Sequence, residues 1–221
     1  MSRELKDSLY EQFARIGKVL GSPKRLELLD LLLQGERSVE DLASLTEMGI
    51  ANTSAHLQAL RHARLVETRK EGTRVFYRPV GDEVAALVIA LQDAARARLV
   101  EVDDLVRTHL EDPKEPDAIT RRDLKKQLSE GSVVVVDVRP VEEYVAGHIK
   151  GALSIPLTEL PSRVEELPEN VEIVVYCRGP YCLYAREAVR ILQSRGRRAR
   201  RLVEGMPEWR LARLPVAVGE G

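Results

Sequence analysis

Two cysteines, Cys177 and Cys182, are the only thiols in the 221 residues of this chain, and they close the stretch Val174-Val175-Tyr176-Cys177-Arg178-Gly179-Pro180-Tyr181-Cys182. Cys177 ends an apolar, strand-like run and opens a turn bearing glycine and proline. A helix containing Ala185, Ala188, Val189 and Leu192 comes next. A thiol so placed faces backbone N–H groups and a helix N-terminus, both of which favour an anion and depress its pKa. Arg178 adds a positive charge beside it. The loop of Cys177, Arg178, Gly179, Pro180, Tyr181 and Cys182 is thus expected to cradle a thiolate, a persulfide or an incoming thiosulfate or polysulfide anion. The implied chemistry is ping-pong: Cys177 takes a sulfane sulfur as a persulfide, then hands it to a nucleophilic acceptor.

Spacing excludes two other chemistries. A phosphatase loop of the C-x5-R kind requires arginine where Leu183 stands, and a thioredoxin-type pair requires C-x-x-C. A plainer reading makes Cys177 a small buried hydrophobe. For Cys182 two readings stay open: a resolving thiol that turns a persulfide into a disulfide or polysulfide bridge, or a helix-start residue packed inward. Bridging demands Cα atoms within about 7 Å.

The elements around this loop read as α/β. Strand-like runs Val133-Val134-Val135-Val136 and Ile173-Val174-Val175-Tyr176 alternate with helical stretches, the pattern of a central parallel sheet. Upstream, helical periodicity dominates. Ser22-Pro23 offers an N-cap and a first-position proline ahead of Leu26, Leu29, Leu32 and Leu33. Ser38 with Asp41 makes an acidic capping box for a helix carrying Leu42 and Leu45. A turn at Glu47-Met48-Gly49 leads to a helix with Thr53, Leu57 and Leu60 on one face. Alternating residues on both sides of Glu71-Gly72 predict a β-hairpin. From Asp82 a single long helix to about Leu110 is expected, its apolar stripe (Val84, Leu87, Val88, Leu91, Ala95, Leu99, Val102, Leu105, Val106) near the heptad period. The charged, proline-bearing stretch 111–117 reads as an exposed linker. The expected organisation is therefore 1–110, linker 111–117, and 118–221.

Two short helices at helix-turn-helix spacing followed by a basic hairpin make a winged helix. Leu57-Gln58-Ala59-Leu60-Arg61-His62-Ala63-Arg64-Leu65-Val66-Glu67, with the wing Arg69-Lys70-Glu71-Gly72-Thr73-Arg74-Val75-Phe76-Tyr77, resembles the ArsR family of repressors from about Val19 to Val80. The resemblance implies a homodimer on operator DNA, with the N-terminal helix and the helix 82–110 as interface. On the second helix of the motif, Asn52, Ser54, Ala55, His56 and Gln58 are not needed by the apolar face and are free to approach base edges. Arg61, Arg64, Arg69, Lys70, Arg74 and Arg78 outnumber Glu67 and Glu71, and Thr73 sits at the wing tip. Asn52, Ser54, His56, Gln58, Arg61, Arg69, Lys70, Thr73 and Arg74 are the expected DNA contacts. Where many relatives sense metal through cysteines, this chain has Ser38 and Glu40, a poor site for a soft metal. Asp103, Asp104 and His109 do not reproduce the family's paired interface zinc site, so neither metal nor cofactor is expected.

In the second half, Asp137-Val138-Arg139, then Glu143 through Pro156, then the cysteine loop, then Glu204-Gly205-Met206-Pro207-Glu208-Trp209 resemble in order and spacing a rhodanese-like sulfurtransferase domain, from about Ala118 to Leu214. The resemblance implies that Asp137 and Arg139 form a supporting salt-bridged pair near the loop. His148 and Trp209 read as packing and hydrogen-bonding residues.

Composition narrows the classes. Lys+Arg (34) and Asp+Glu (35) nearly cancel, so only a local basic patch argues for nucleic acid. An apolar fraction of 44% supports packed cores, which at 4% aromatics must rest on Leu, Val, Ala and Ile. No apolar run approaches the roughly 20 residues of a membrane span, and Met1-Ser2-Arg3-Glu4-Leu5 lacks a signal-peptide core. A cytoplasmic location with reduced thiols is expected. The joint reading is a mainly α winged helix-turn-helix followed by an α/β rhodanese-like domain: a repressor that senses or transfers sulfane sulfur through a Cys177 persulfide. The alternative is a working thiosulfate or polysulfide sulfurtransferase with a localising or autoregulatory DNA-binding half. The sulfur donor is thiosulfate, polysulfide or a low-molecular-weight persulfide.

Overall fold

The computed structural model describes residues 2–110 and 118–220 and divides the chain into two compact units, Met1–Val88 and Ile89–Gly221. The linker expected at 111–117 lies outside the described residues.

In the first unit, helices α1 (Arg3–Leu20), α2 (Pro23–Gln34), α3 (Val39–Leu45) and α4 (Ile50–His62) precede the hairpin β2 (Val66–Glu71) and β3 (Arg74–Pro79). Leu28, Leu29, Leu42, Leu57 and Leu60 are fully buried, and each contributes about 1.5–3 kcal/mol by leaving water. Thr53, Leu57 and Leu60 form the buried face of α4, as the periodicity requires. The Ser38–Asp41 capping box is present at the start of α3. Ser22, by contrast, precedes α2 without capping it through its side chain; Pro23 at the first position supplies the start. In the turn between α3 and α4 the left-handed residue is Glu47 (φ 53°), while Gly49 is the N-cap of α4 at φ −65°. The hairpin pairs Glu71 with Arg74 and turns through Gly72 at φ 59°, where a side chain is disfavoured. A third strand, β1 (Arg37–Ser38), joins β3 antiparallel and pairs Ser38 with Phe76. Two residues carry too little alternation to announce a strand.

The long helix expected from Asp82 to about Leu110 is two helices, α5 (Asp82–Arg98) and α6 (Val100–His109), separated at Leu99. Leu99 takes an extended conformation (φ −106°, ψ 109°) as the N-cap of α6. A side-chain stripe repeating at helical spacing does not register one backbone break.

In the second unit, a four-stranded sheet orders β6 (Leu153–Ser154), β4 (Val133–Asp137), β7 (Glu172–Tyr176) and β8 (Ala199–Arg201), every pair parallel. Residues alternate between its faces. Ile173, Val175 and Cys177 join one apolar cluster with Leu160 from α9 (Leu160–Arg163) and Ala185, Ala188, Val189 and Leu192 from α10 (Leu183–Ser194). Val174 and Tyr176 join the other, with Leu124 from α7 (Arg121–Glu130), Tyr144 from α8 (Val141–Ala146), and Met206 and Trp209 from α11 (Met206–Leu211). Helices on both faces explain why these strands read as continuous valine and isoleucine runs. A small ribbon of β5 (His148–Ile149) and β9 (Val216–Ala217), antiparallel, completes the unit. Among the described residues no helix is long and apolar enough to cross a membrane.

Candidate functional site

Cys177 emerges from the carboxyl end of β7, where parallel α/β sheets place their ligands. It is 2% exposed and belongs to the apolar cluster beneath α10, while Cys182 is partly buried against the same cluster. The turn is drawn in by the Cys182 N–H, which donates to the Gly179 carbonyl at 3.1 Å. Cys182 is the N-cap of α10 and makes no side-chain cap hydrogen bond. The two sulfurs are joined as a disulfide, with Cα atoms 6.3 Å apart, inside the range that bridging demands. The sulfur of Cys182 therefore reaches that of Cys177, as bridging requires.

The rest of the loop is held from outside. The Arg178 guanidinium is ion-paired with the fully buried Glu143 carboxylate at 2.6 Å, and its Nε donates to both carboxylate oxygens. It also lies over the Tyr184 ring, 5.8 Å from the centroid. The positive charge expected beside the thiol is thus compensated, and Arg178 holds the loop rather than serving as a freestanding charge for the sulfur. Gly205 packs so closely that a Cβ there would collide with the Arg178 carbonyl and the Gly179 nitrogen. The Gly205 N–H donates to Glu208 at 2.9 Å, fixing this wall at the start of α11. Burial raises the phenol pKa of Tyr181 in the same loop.

Asp137 and Arg139 form a wholly buried pair at 2.6 Å. Arg139 also donates to the Gly147 carbonyl, and the Tyr176 hydroxyl donates to Asp137 while accepting from the Ile149 N–H. Burial, followed by the Asp137 charge, pushes the Tyr176 phenol well above its ordinary pKa. This network ties the residue preceding Cys177 to β4 and β5. His148 is buried, stacked on Tyr144 at 3.7 Å, and Trp209 donates its indole N–H to the Pro215 carbonyl, so both are packing residues. Glu143, Tyr176, Gly205 and Glu208 lie within the stretches that carry the resemblance, but sequence reasoning gave them no role in the site, since each meets the loop only through the fold.

The second candidate surface is the winged helix. Asn52, Ala55 and Arg61 are exposed on α4, and Ser54, His56 and Gln58 are half-buried. Gln58 is less available than expected, because its amide donates to the Tyr77 hydroxyl at 3.0 Å. Asn52 leans on the Met48 sulfur at 3.7 Å. Lys70 and Thr73 are exposed at the wing. Arg69 is paired with Glu36 (2.7 Å) and Glu71 (2.6 Å), and Arg74 with Asp41 (3.1 Å). Both guanidinium groups flank the Phe76 ring, at 4.8 and 5.3 Å. The basic excess read along the hairpin is therefore offset by Glu36 and Asp41, which come from outside it. Among the described residues no three His, Cys, Asp or Glu side chains gather as a metal site.

Residues 22–68 match the family model of bacterial regulatory proteins of the arsR family, and residues 120–212 that of the rhodanese-like domain. The HTH-type transcriptional regulator Rv0324 of Mycobacterium tuberculosis is 50% identical over 214 residues, which is 97% of this chain and 94% of that protein. A sulfurtransferase of Allochromatium vinosum is 34% identical over 89 residues, covering 40% of this chain and 82% of that protein. The homodimeric winged helix-turn-helix DNA-binding domain of a possible ArsR-family regulator from Mycobacterium bovis, solved in solution, is 47% identical. It covers 45% of this chain and 91% of that one, with a TM-score of 0.42.

Proposed function

We propose, for a chain that belongs to the arsR family of transcriptional regulators and carries a rhodanese-like domain, that operator binding by the winged helix responds to sulfane sulfur accepted at Cys177. The observation that carries this reading is the position of Cys177: it stands at the carboxyl end of β7, in a turn anchored by Glu143 and Gly205. Such a turn supports an anionic sulfur with backbone N–H groups at the start of α10. Thiosulfate, polysulfide and small persulfides are the donors of matching chemistry. The regulator is a repressor that works in the cytoplasm as a homodimer, with α4 in the major groove and the wing along the phosphates. Exposed Leu5, Leu9 and Phe13 on α1, one turn apart, supply an apolar face for the second copy. The test is operator affinity measured with and without polysulfide in the wild type and in Cys177→Ser. An affinity indifferent to sulfur in both proteins overturns the reading.

The sulfurtransferase relative supports a second reading, in which the rhodanese-like half turns over and the winged helix localises or autoregulates it. Thiosulfate-to-cyanide transfer that is lost in Cys177→Ser, together with operator binding unmoved by sulfur, would select it.

A further inference from the structure

Resting on the reading of Cys177 as sulfur acceptor, we propose that Cys182 is a resolving thiol: it converts the Cys177 persulfide into the Cys177–Cys182 disulfide and expels hydrosulfide. The loop then does more than store or pass on a sulfur atom. It reduces the sulfane sulfur and is itself oxidised.

Four observations carry this. The fold brings the two sulfurs into a bond while the backbone between them keeps its turn hydrogen bond, Cys182 N–H to Gly179 carbonyl. The Cys182 side chain is not committed to capping α10, although its backbone occupies the cap position, so the sulfur is directed back toward Cys177 and not onto the helix amides. The two cysteines also differ in access: Cys177 is 2% exposed and sits in the apolar cluster with Val175, Ala185 and Val189, whereas Cys182 is partly open. The Glu143–Arg178 clamp and the Gly205 wall hold the intervening backbone, so resolution requires no large excursion of the loop.

The chemistry balances. A small persulfide R–S–SH gives its outer sulfur to the Cys177 thiolate and leaves as R–S⁻, forming Cys177-S–SH. The Cys182 thiol loses its proton to water and attacks the Cys177 Sγ. The Sγ–Sγ bond forms, the bond from Cys177 Sγ to the outer sulfur breaks, and its electron pair leaves on hydrosulfide. The sulfane sulfur gains two electrons and each cysteine loses one. An external small thiol resets the loop by attacking the more accessible Cys182 Sγ, which frees the Cys177 thiolate. A second thiol then releases the mixed disulfide from Cys182.

The experiment uses the full chain, reduced and kept without oxygen, mixed with one equivalent of glutathione persulfide. Hydrosulfide is quantified and the protein is weighed intact by mass spectrometry. The wild type is expected to release one hydrosulfide per chain and to lose two hydrogens, with the two cysteines cross-linked. Cys182→Ser is expected to gain one sulfur atom on Cys177, with hydrosulfide release falling to background. A wild-type chain that keeps a persulfide on Cys177 beside a free Cys182, or that carries the sulfur on Cys182, overturns the proposal. A folded Cys182→Ser chain that takes up no sulfur overturns the underlying reading of Cys177. Trp209 fluorescence reports folding, Cys182→Ala serves if the serine variant does not fold, and the wild-type products decide the matter by themselves.

Discussion

The Glu143 carboxylate, wholly buried on α8, grips the Arg178 guanidinium at 2.6 Å, although the two residues lie 35 positions apart in the chain. The residue after the sulfur-bearing cysteine is thereby fastened to an element on the opposite face of the sheet from α10.

Removing the buried half of this pair is costly, because the mostly buried guanidinium loses the carboxylate on which it is docked. Glu143→Gln is expected to lower the stability of the rhodanese-like unit by roughly 3 kcal/mol. The single tryptophan of the chain, Trp209, is buried in that unit, so denaturant unfolding followed by its fluorescence reads the loss directly. A double variant, Glu143→Gln with Arg178→Met, should recover part of it, since no charge is then stranded.

Gly205→Ala introduces a Cβ into the Arg178 carbonyl and the Gly179 nitrogen, both backbone groups that cannot rotate aside. The loop must move. Loss of the reaction at Cys177, read as absent hydrosulfide release and an unchanged intact mass after persulfide exposure of the reduced chain, is expected with a destabilisation of about 1–3 kcal/mol, the usual cost of overpacking.

Burial pushes the Asp41 carboxyl upward, but hydrogen bonds from the Ser38 hydroxyl and N–H, with the Arg74 charge, outweigh it and leave its pKa below the usual value. A depressed folded-state pKa adds stability above the unfolded-state value and loses it as pH falls through the folded one. Asp41→Asn should therefore cost about 0.5–1 kcal/mol near neutrality, the partly exposed setting limiting the effect, and progressively less below about pH 4. Carboxyl-carbon NMR of Asp41 across that range checks the direction of the shift.

If the wing lies along the phosphates as proposed, Arg69 has to exchange Glu36 for one of them. Glu36→Gln is expected to tighten binding to any duplex, whereas Arg74→Ala should weaken it about equally across sequences. The logarithmic salt slope of Arg74→Ala should fall by about 0.9 if one phosphate contact is lost. Fluorescence anisotropy at several salt concentrations measures both.

Phe13→Glu places a charge on the exposed apolar face of α1, where Phe13 is 63% exposed. A shift from dimer to monomer in light scattering, with operator affinity falling alongside, is the expected outcome. A dimer that survives unchanged puts the interface elsewhere.

The layered α/β half was legible because its strands are buried on both faces and so spell themselves as valine and isoleucine, and the winged helix because the Ser38–Asp41 box and the Gly72 turn use the residues that a cap and a turn require. What escaped was of another kind. The break at Leu99 interrupts a stripe that continues across it, and backbone geometry leaves no mark on periodicity. β1 holds two residues. Glu143 reads as one of two adjacent acidic residues at a helix start, and its burial follows from where α8 comes to rest. The same is true of Glu36 and Asp41, which meet the wing arginines 33 positions away and revise the charge balance that local counting suggested. The cysteine pair was legible as a candidate; its closure depended on the turn.

Ser38 is the last residue of β1, the N-cap of α3, and the acceptor of a 2.9 Å hydrogen bond from Arg74 on the wing, all with a side chain shut away from water. Arg74 stands beside the wing turn, so this bond fastens the far end of the hairpin to the start of α3. With β1 paired to Phe76 and Tyr77 as well, the hairpin is tied along its length, and only Gly72 and Thr73 lie beyond its last paired residues, Glu71 and Arg74. On the proposed reading, a shift of the helix-turn-helix is carried into the wing through the Arg74–Ser38 bond, so that grip on the groove and grip on the backbone change together.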